Sequence, residues 1–382
     1  MKQPKILFVD HTAVMGGAEL SLLDLAAAYS STCKVLLFED GILRHRLQQV
    51  QVEVSVVEAS DAILNLSASG GLNSLKIIPE LWKLAAQIVK AAASYDLIVA
   101  NSQKAFIVSA LAVLQGSPPV IWHLRDILTA KHFSPVNRFV AVQLANRFAA
   151  KVLVNSQATG QAFIAAGGRA QLCHVVYNGF KSNEFDAVDY QETLKVRSQL
   201  GINENVHLVG LFSRLSYWKG QHILLKAVAE LPEVQVILVG EALFGEQDYV
   251  SEIKLLATKP ELAGRVHWLG FRDDIPTLMK ACDIIAHTST EPEPFGRVIV
   301  EGQLAQRPVI ASAAGGALEL VDNGHTGYLF PPQDVLKLSG LIKRLISDRT
   351  LAKTMGQKGY ESAKANFALE TILQSFAQAI SI

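Results

Sequence analysis

At 382 residues the chain exceeds the roughly 250–300 at which a single hydrophobic core stops growing, so two domains are expected. Half of its residues are hydrophobic, with only 13 Pro and 26 Gly, an ordinary globular composition that excludes disordered bulk. Net charge is zero, yet residues 1–180 hold 15 Lys/Arg against 11 Asp/Glu and the remainder is acidic by the same margin. The basic first half could face an anionic surface, and no nucleic-acid partner is indicated.

Cys33, Cys173 and Cys282 are dispersed and give neither a disulfide framework nor a metal spacing, which points to a reducing cytosol. The short apolar run Ile6–Val9 is too short for a signal-peptide core, and no run approaches the roughly 18 apolar residues of a membrane span. A cytoplasmic protein is expected, soluble or peripheral at the inner face of a membrane.

In chain order, KILFVD (5–10), KVLLFE (34–39), VEVSVVE (52–58), DLIVANS (96–102), PVIWHL (119–124) and KVLVNS (151–156) read as strands. Helical patterns lie between them, among them Ala18–Tyr29, Ile78–Ala93 and Phe139–Ala150. Near-continuous Val/Ile/Leu strands are buried on both faces, so the sheet is parallel and covered by helices. VVYNGFKSNEF (175–185) reads as a linker, with a turn at Asn178-Gly179. The pattern then restarts with HLVGLFSR (207–214), VQVILVGE (234–241), RVHWLGF (265–271), DIIAHTS (283–289) and RPVIASA (307–313). A last helix, Leu369–Ile380, follows the second sheet. The expected class is α/β, two doubly wound Rossmann-like domains facing across a cleft where ligands bind at strand carboxyl ends. The expected boundaries are 1–180, 181–366 and a returning helix at 367–382.

Four stretches could carry chemistry. Gly16-Gly17 open a helix after a strand and could meet an anion with backbone N–H groups, or form a plain βα turn with Glu19 complementing the dipole. They lack the Gly-x-Gly-x-x-Gly fingerprint, which disfavours an ordinary nicotinamide site. In SRLSYWKG (213–220), Arg214 and Lys219 at a strand end suit a diphosphate, or are two solvated charges. In EPEPFGRVIVE (291–301), a helix starting near Phe295-Gly296 offers N–H groups at Gly296, Arg297 and Val298. Glu293 precedes that helix, and Glu301 lies about 8 Å further along its axis. Each carboxylate could accept from hydroxyl pairs of one ligand, or Glu293 could be a helix-start acid and Glu301 a surface charge. Glu291 falls outside this spacing. In WHLRD (122–126), His123 at a strand end points toward a cleft rim or is structural.

Taken in order, Gly-Gly-x-Glu, the strand-end His, Asn-Gly, Arg-x4-Lys-Gly, Glu-x7-Glu with Phe-Gly inside, and AAGGALELVDNGHTGYLF span essentially the whole chain. This set resembles the family 4 glycosyltransferases, retaining enzymes of GT-B fold. The resemblance implies that Arg214 and Lys219 grip a donor diphosphate, helped by the amides of Gly296, Arg297 and Val298. It implies that Glu301 holds ribose, that Glu293 contacts the transferred sugar, and that the Gly16-Gly17 loop closes over the donor. His123 would contact the sugar near its 6-hydroxyl, partly through the main chain, and Phe271 and Arg272 would face the nucleobase. Departures are Leu-Arg-Asp after His123, which leaves Arg125 and Asp126 open, Pro294 for the usual Gly, and Glu241 where a second Gly is usual.

The implied donor is a nucleotide-diphosphate sugar (UDP- or GDP-sugar), with no metal required, because cationic side chains meet the leaving diphosphate. The implied acceptor is a glycan, lipid-linked sugar or small molecule, in polysaccharide or glycoconjugate synthesis. Alternatives are a nucleotide-sugar epimerase or phosphorylase of the same architecture, or a binding protein without turnover. SASGGLNSLK (67–76) and LTAKHFSPVNR (128–138) are candidates for the acceptor side. The second, with Lys131, His132 and Arg138 beside Phe133 and Phe139, could touch a membrane.

Overall fold

The computed structural model describes residues 3–60, 63, 77–129, 133–203, 206–243 and 245–381. SASGGLNSLK, Lys131 and His132 lie outside the described residues. The chain divides into two compact units, Met1–Gly179 with Leu369–Ile382, and Phe180–Ala368.

The first unit is built on β1 (Ile6–Asp10), β2 (Cys33–Leu37), β3 (Glu53–Val56), β4 (Leu97–Ala100), β5 (Val120–Leu124), β6 (Ala149–Val154) and β7 (Cys173–Val175). Their order is β3-β2-β1-β4-β5-β6-β7, and every pairing is parallel. Along β1, Leu7 and Val9 join one core layer while Ile6 and Phe8 join the other, all fully buried, as a strand covered on both faces requires. Helices start where the sequence supplies caps. Ser102, Ser134 and Ser156 each accept from a first-turn amide, and Pro135 sits in the first turn after Ser134. The Leu369–Ile380 helix inserts Phe376 against Phe8, Tyr29 and His123 at ring-centroid distances of 6.3, 5.8 and 6.2 Å. Burying that one ring contributes about 2–3 kcal/mol.

The second unit repeats the plan with β8 (His207–Phe212), β9 (Val234–Val239), β10 (Val266–Gly270), β11 (Ile284–His287), β12 (Val309–Ser312) and β13 (Tyr328–Phe330). Its order is β10-β9-β8-β11-β12-β13, again wholly parallel. In each sheet the strand order reverses at one point, between β1 and β4 and between β8 and β11. Loops at the carboxyl ends on either side of such a switch diverge and leave a crevice for ligand.

Three expectations change. The helix expected at Phe139–Ala150 spans Pro135–Phe148, because Ser134 and Pro135 start it earlier and Ala149 already belongs to β6. The stretch expected as linker begins inside β7, and Ser182–Asp186 is a short helix. β13 was not foreseen, since three residues after Gly327 are too short to show a period.

Candidate functional site

In the second unit, Arg214 and Lys219 follow β8, and Glu293 follows β11, so the three flank the switch point. The Lys219 turn is shaped by Gly220, whose φ of 68° places the position where a Cβ would stand 2.1 Å from the Thr288 carbonyl oxygen. No other residue fits that approach. Thr288 Oγ1 then donates to the Lys219 and Gly220 carbonyls at 3.0 and 2.9 Å, and Thr290 N donates to the Trp218 carbonyl at 2.8 Å. The two loops are thereby stitched together, and Lys219 Nζ reaches Glu293 Oε1 at 2.5 Å.

Glu293 is buried, and the same oxygen lies 3.2 Å from His287 Nε2 and accepts from Ser289 Oγ. Burial by itself would raise this carboxyl. The Lys219 ammonium and His287 outweigh it and hold the group well below the ordinary glutamate value of 4.5. The Glu293 loop is held from behind by Gly315 and Gly316. Gly315 has a φ of 62°, and a Cβ there would lie 2.2 Å from the Glu293 carbonyl oxygen, to which Gly316 N donates at 2.8 Å.

Gly296, with a φ of 101°, leads into the Arg297–Leu304 helix, whose first amides are those of Arg297 and Val298. Pro294 does not disturb that entry. Arg297 lies 4.4 Å over the Phe180 ring, and its Nε is 3.3 Å from Glu301 Oε1 one turn on. Glu301 is half-buried and paired, so it is not a solvated surface charge. Arg214 lies 3.5 Å from Glu246. Glu241, unusual for its position, accepts from Phe271 N at 3.3 Å and offers its own carbonyl to Leu215 N at 2.9 Å. That acid ties the Arg214 loop to the Phe271 loop. Phe271 itself is exposed, while the Arg272 fork closes on Asp274 at 2.8 and 2.6 Å. Among the described residues no cluster of three or more His, Cys, Asp or Glu could hold a metal ion.

In the first unit, Gly16 and Gly17 open the Gly17–Ala28 helix beside the β1–β4 switch. Glu19 does not complement that helix by charge, as the plain-turn reading had it. Burial, then the neighbouring Asp10, push its carboxyl up to about 8, so it stays protonated at neutral pH. The His123 imidazole is buried, not at a rim, because it lies against Phe376 and under Arg125. Arg125 is buried too, donating to Asn101 Oδ1 at 2.8 Å and Asn178 Oδ1 at 2.7 Å, with its Nη2 3.3 Å from His123 Nδ1.

A guanidinium has only donors, so Nδ1 must accept and the ring proton sits on Nε2. Burial, then the Arg125 charge, hold His123 well below the ordinary value of 6.5, hence neutral. Nε2 has no partner among the described residues. Asn101 also donates to the fully buried Asp10 at 2.6 Å, and Ser21 donates to Asn178 at 2.9 Å.

The structure thus joins Lys219 with Glu293 and Arg297 with Glu301, while Gly16, Gly17 and His123 belong to the first unit. Sequence reasoning missed Ser289, His287 and Gly220, and it quoted Arg125 and the Gly315-Gly316 pair without a role. The double glycine was the one signal available for the support of Glu293.

Residues 192–362 match the family described as glycosyl transferases group 1, and residues 16–179 match the glycosyl transferase 4-like domain. The Anabaena protein Alr3699/HepE, solved in complex with UDP and glucose, is 47% identical with a TM-score of 0.90, covering 99% of each chain. Crystal structures of that protein with UDP and with UDP-glucose match at 46% identity with TM-scores of 0.89 and 0.90, again covering 99% of each chain. The lipopolysaccharide core biosynthesis glycosyltransferase LpsE of Rhizobium meliloti is 28% identical over 48% of this chain and 53% of its own. A GDP-mannose-dependent mannosyltransferase acting on a monoacylated phosphatidylinositol monomannoside, from Corynebacterium glutamicum, is 31% identical over 56% of this chain and 58% of its own. The chain spans about half the length of the curated relatives it matches.

Proposed function

The chain belongs to the group 1 glycosyl transferases, with a 4-like first half and GT-B architecture, and we propose that it moves a hexose from a UDP-sugar to an acceptor hydroxyl with retention of configuration. The observation that carries this reading is the buried Lys219–Glu293 pair at the switch point, beside the helix start at Gly296. Cleavage of the bond between sugar and diphosphate builds negative charge on the leaving group. Lys219, Arg214 and the amides of Gly296, Arg297 and Val298 are the groups that meet it. Ionised Glu293, kept in place by Ser289 and His287, accepts from hydroxyls of the moving sugar. Glu301, fixed by Arg297, accepts from ribose hydroxyls, and exposed Phe271 stacks on the base.

The Gly16-Gly17 loop supplies N–H groups from the first unit. His123, whose ring is buried, acts at the sugar through its main chain. The leaving phosphate takes the acceptor's proton, and no metal is needed. UDP is favoured over GDP because the 46–47% identical Anabaena protein is seen with UDP and UDP-glucose. An acceptor for polysaccharide or glycoconjugate synthesis, presented near a membrane, is favoured by Val136 and Phe139, each 62% exposed on the helix that bears Arg138.

Thermal unfolding in UDP, GDP and ADP tests the donor, since only a ligand of the folded state stabilises it. UDP should raise the midpoint most. An equal response to all three would refute the UDP assignment. Proton NMR of the product's anomeric centre tests retention, and an inverted linkage would refute it.

A further inference from the structure

The second unit has another depression, of about 490 Å³, at the opposite ends of the strands that carry Arg214, Lys219 and Glu293. It is lined where β8, β11 and β12 begin, by His207, Ile284 and Pro308. At about 3.3 Å per residue, the length of β8 sets it roughly 16 Å from the Phe212 end. Its volume lies in the range of small-molecule sites, and its lining mixes apolar and polar groups.

Its lining is cationic. Lys280, Arg307, Arg349 and Lys353 converge there, in a chain of zero net charge. None of the four is within ion-pair distance of a carboxylate among the described residues. The acid of the group, Asp283, is already engaged by Leu208 N at 2.7 Å and by Arg197 at 3.2 Å. Arg307 donates through Nη2 to the Lys280 carbonyl, while its Nε is buried and has no partner. Gly356 lets the Arg349–Phe367 helix approach this point, since a Cβ there would lie 2.4 Å from the Gln306 carbonyl oxygen. That helix is capped by Asp348, which accepts from Leu351 N at 2.8 Å, and starts with Arg349, with no further acid in its first turn. A cation there opposes the macrodipole and disfavours the helix, but it adds to the attraction for an anion. Asp283 and Asp186 offset Arg307 and Lys280 only in part, so the four cations still outnumber the acids beside them, and a bound anion relieves their repulsion.

We infer that this depression is a second anion site, separate from the Lys219–Glu293 site, that takes a small phosphorylated molecule about the size of a sugar phosphate. Arg307 and Lys280 hold the phosphate from the floor, and Arg349 and Lys353 close on it from the helix. The inference does not depend on the proposed reaction.

Calorimetric titration with inorganic pyrophosphate tests it on three proteins: the unaltered chain, Arg349→Ser/Lys353→Ser, and Lys219→Ala. Both serine sites are exposed, so the fold should survive. Lys219→Ala should retain a pyrophosphate site. The double variant should bind at that site about tenfold more weakly or worse, as the loss of two charge-assisted contacts implies. Its UDP-glucose turnover should stay near that of the unaltered chain.

Pyrophosphate binding that is unchanged in the double variant, or abolished by Lys219→Ala, would overturn the inference. So would recruitment to phosphatidylglycerol vesicles without any response to pyrophosphate, which would make the cluster a lipid contact. If Lys219→Ala changes nothing while the double variant loses everything, the donor reading fails and this site stands.

Discussion

Replacing Lys219 by Met keeps the chain length and removes the ammonium 2.5 Å from Glu293. Removing one partner of a buried pair costs about 3–5 kcal/mol when the remaining charge is left bare. Glu293 still has Ser289 and His287 on the same oxygen, and the Lys219 side chain is 19% exposed, so the expected cost is smaller, about 2 kcal/mol. For a unit of this size that is a fall of about 4–8 °C in the unfolding midpoint.

The effect depends on pH. The Glu293 carboxyl is held below its ordinary value, so it stabilises the fold above pH 4.5 and that contribution fades only as pH falls through its lower folded value. Without the ammonium, the folded value rises, so the acid loss should be smaller and end at higher pH. Thermal unfolding between pH 4 and 8 on Lys219→Met, Glu293→Gln and the double variant measures the coupling, expected at about 1–3 kcal/mol for contacting residues. Additive single effects with an unshifted acid limb would refute the reasoning.

Other consequences can be checked separately. Arg125→Met should free His123 Nδ1 and raise its pKa towards the ordinary 6.5, with burial still holding it lower. Nitrogen-15 shifts should show the Nε2–H tautomer unchanged from pH 5 to 8 in the unaltered protein, and a titrating ring there would refute the assignment. Glu19→Gln should relieve a stability loss that grows as pH rises from 4.5 to 8, because the native carboxyl holds a proton that the unfolded chain releases. The variant should gain about 2–4 kcal/mol above pH 8, and parallel pH profiles would contradict this. Gly220→Ala should cost about 2–4 kcal/mol or abolish folding of the second unit, through its φ of 68° and the Thr288 carbonyl 2.1 Å from its Cβ. Near-native stability would show that the loop can relax.

Both sheets were legible because their longer strands are unbroken Val/Ile/Leu runs, and because the sequence from Leu208 restarts the pattern that begins at Ile6. β7 and β13 were not, since three residues carry no period. Motif spacing suggested that Arg214, Lys219, Glu293 and Glu301 act together. The actual contact of Lys219 with Glu293 joins residues 74 apart and depends on a left-handed Gly220, which no local pattern announces. His123 was misread as rim-facing because Phe376 arrives from the far end of the chain to cover it. The acidity of Glu19 was equally hidden, because it follows from Asp10 and burial, not from the Gly-Gly motif around it.

The most direct test is UDP release from UDP-glucose, with water taking the glucosyl group, measured by chromatography, by the unaltered protein, Lys219→Ala and Glu293→Gln. The account predicts steady release by the unaltered protein and a fall of about a hundredfold or more in each variant, with the variants still folded and their Tm lower by no more than about 4–8 °C. UDP-glucose binding without any release, or variants that release UDP at the original rate, would contradict it.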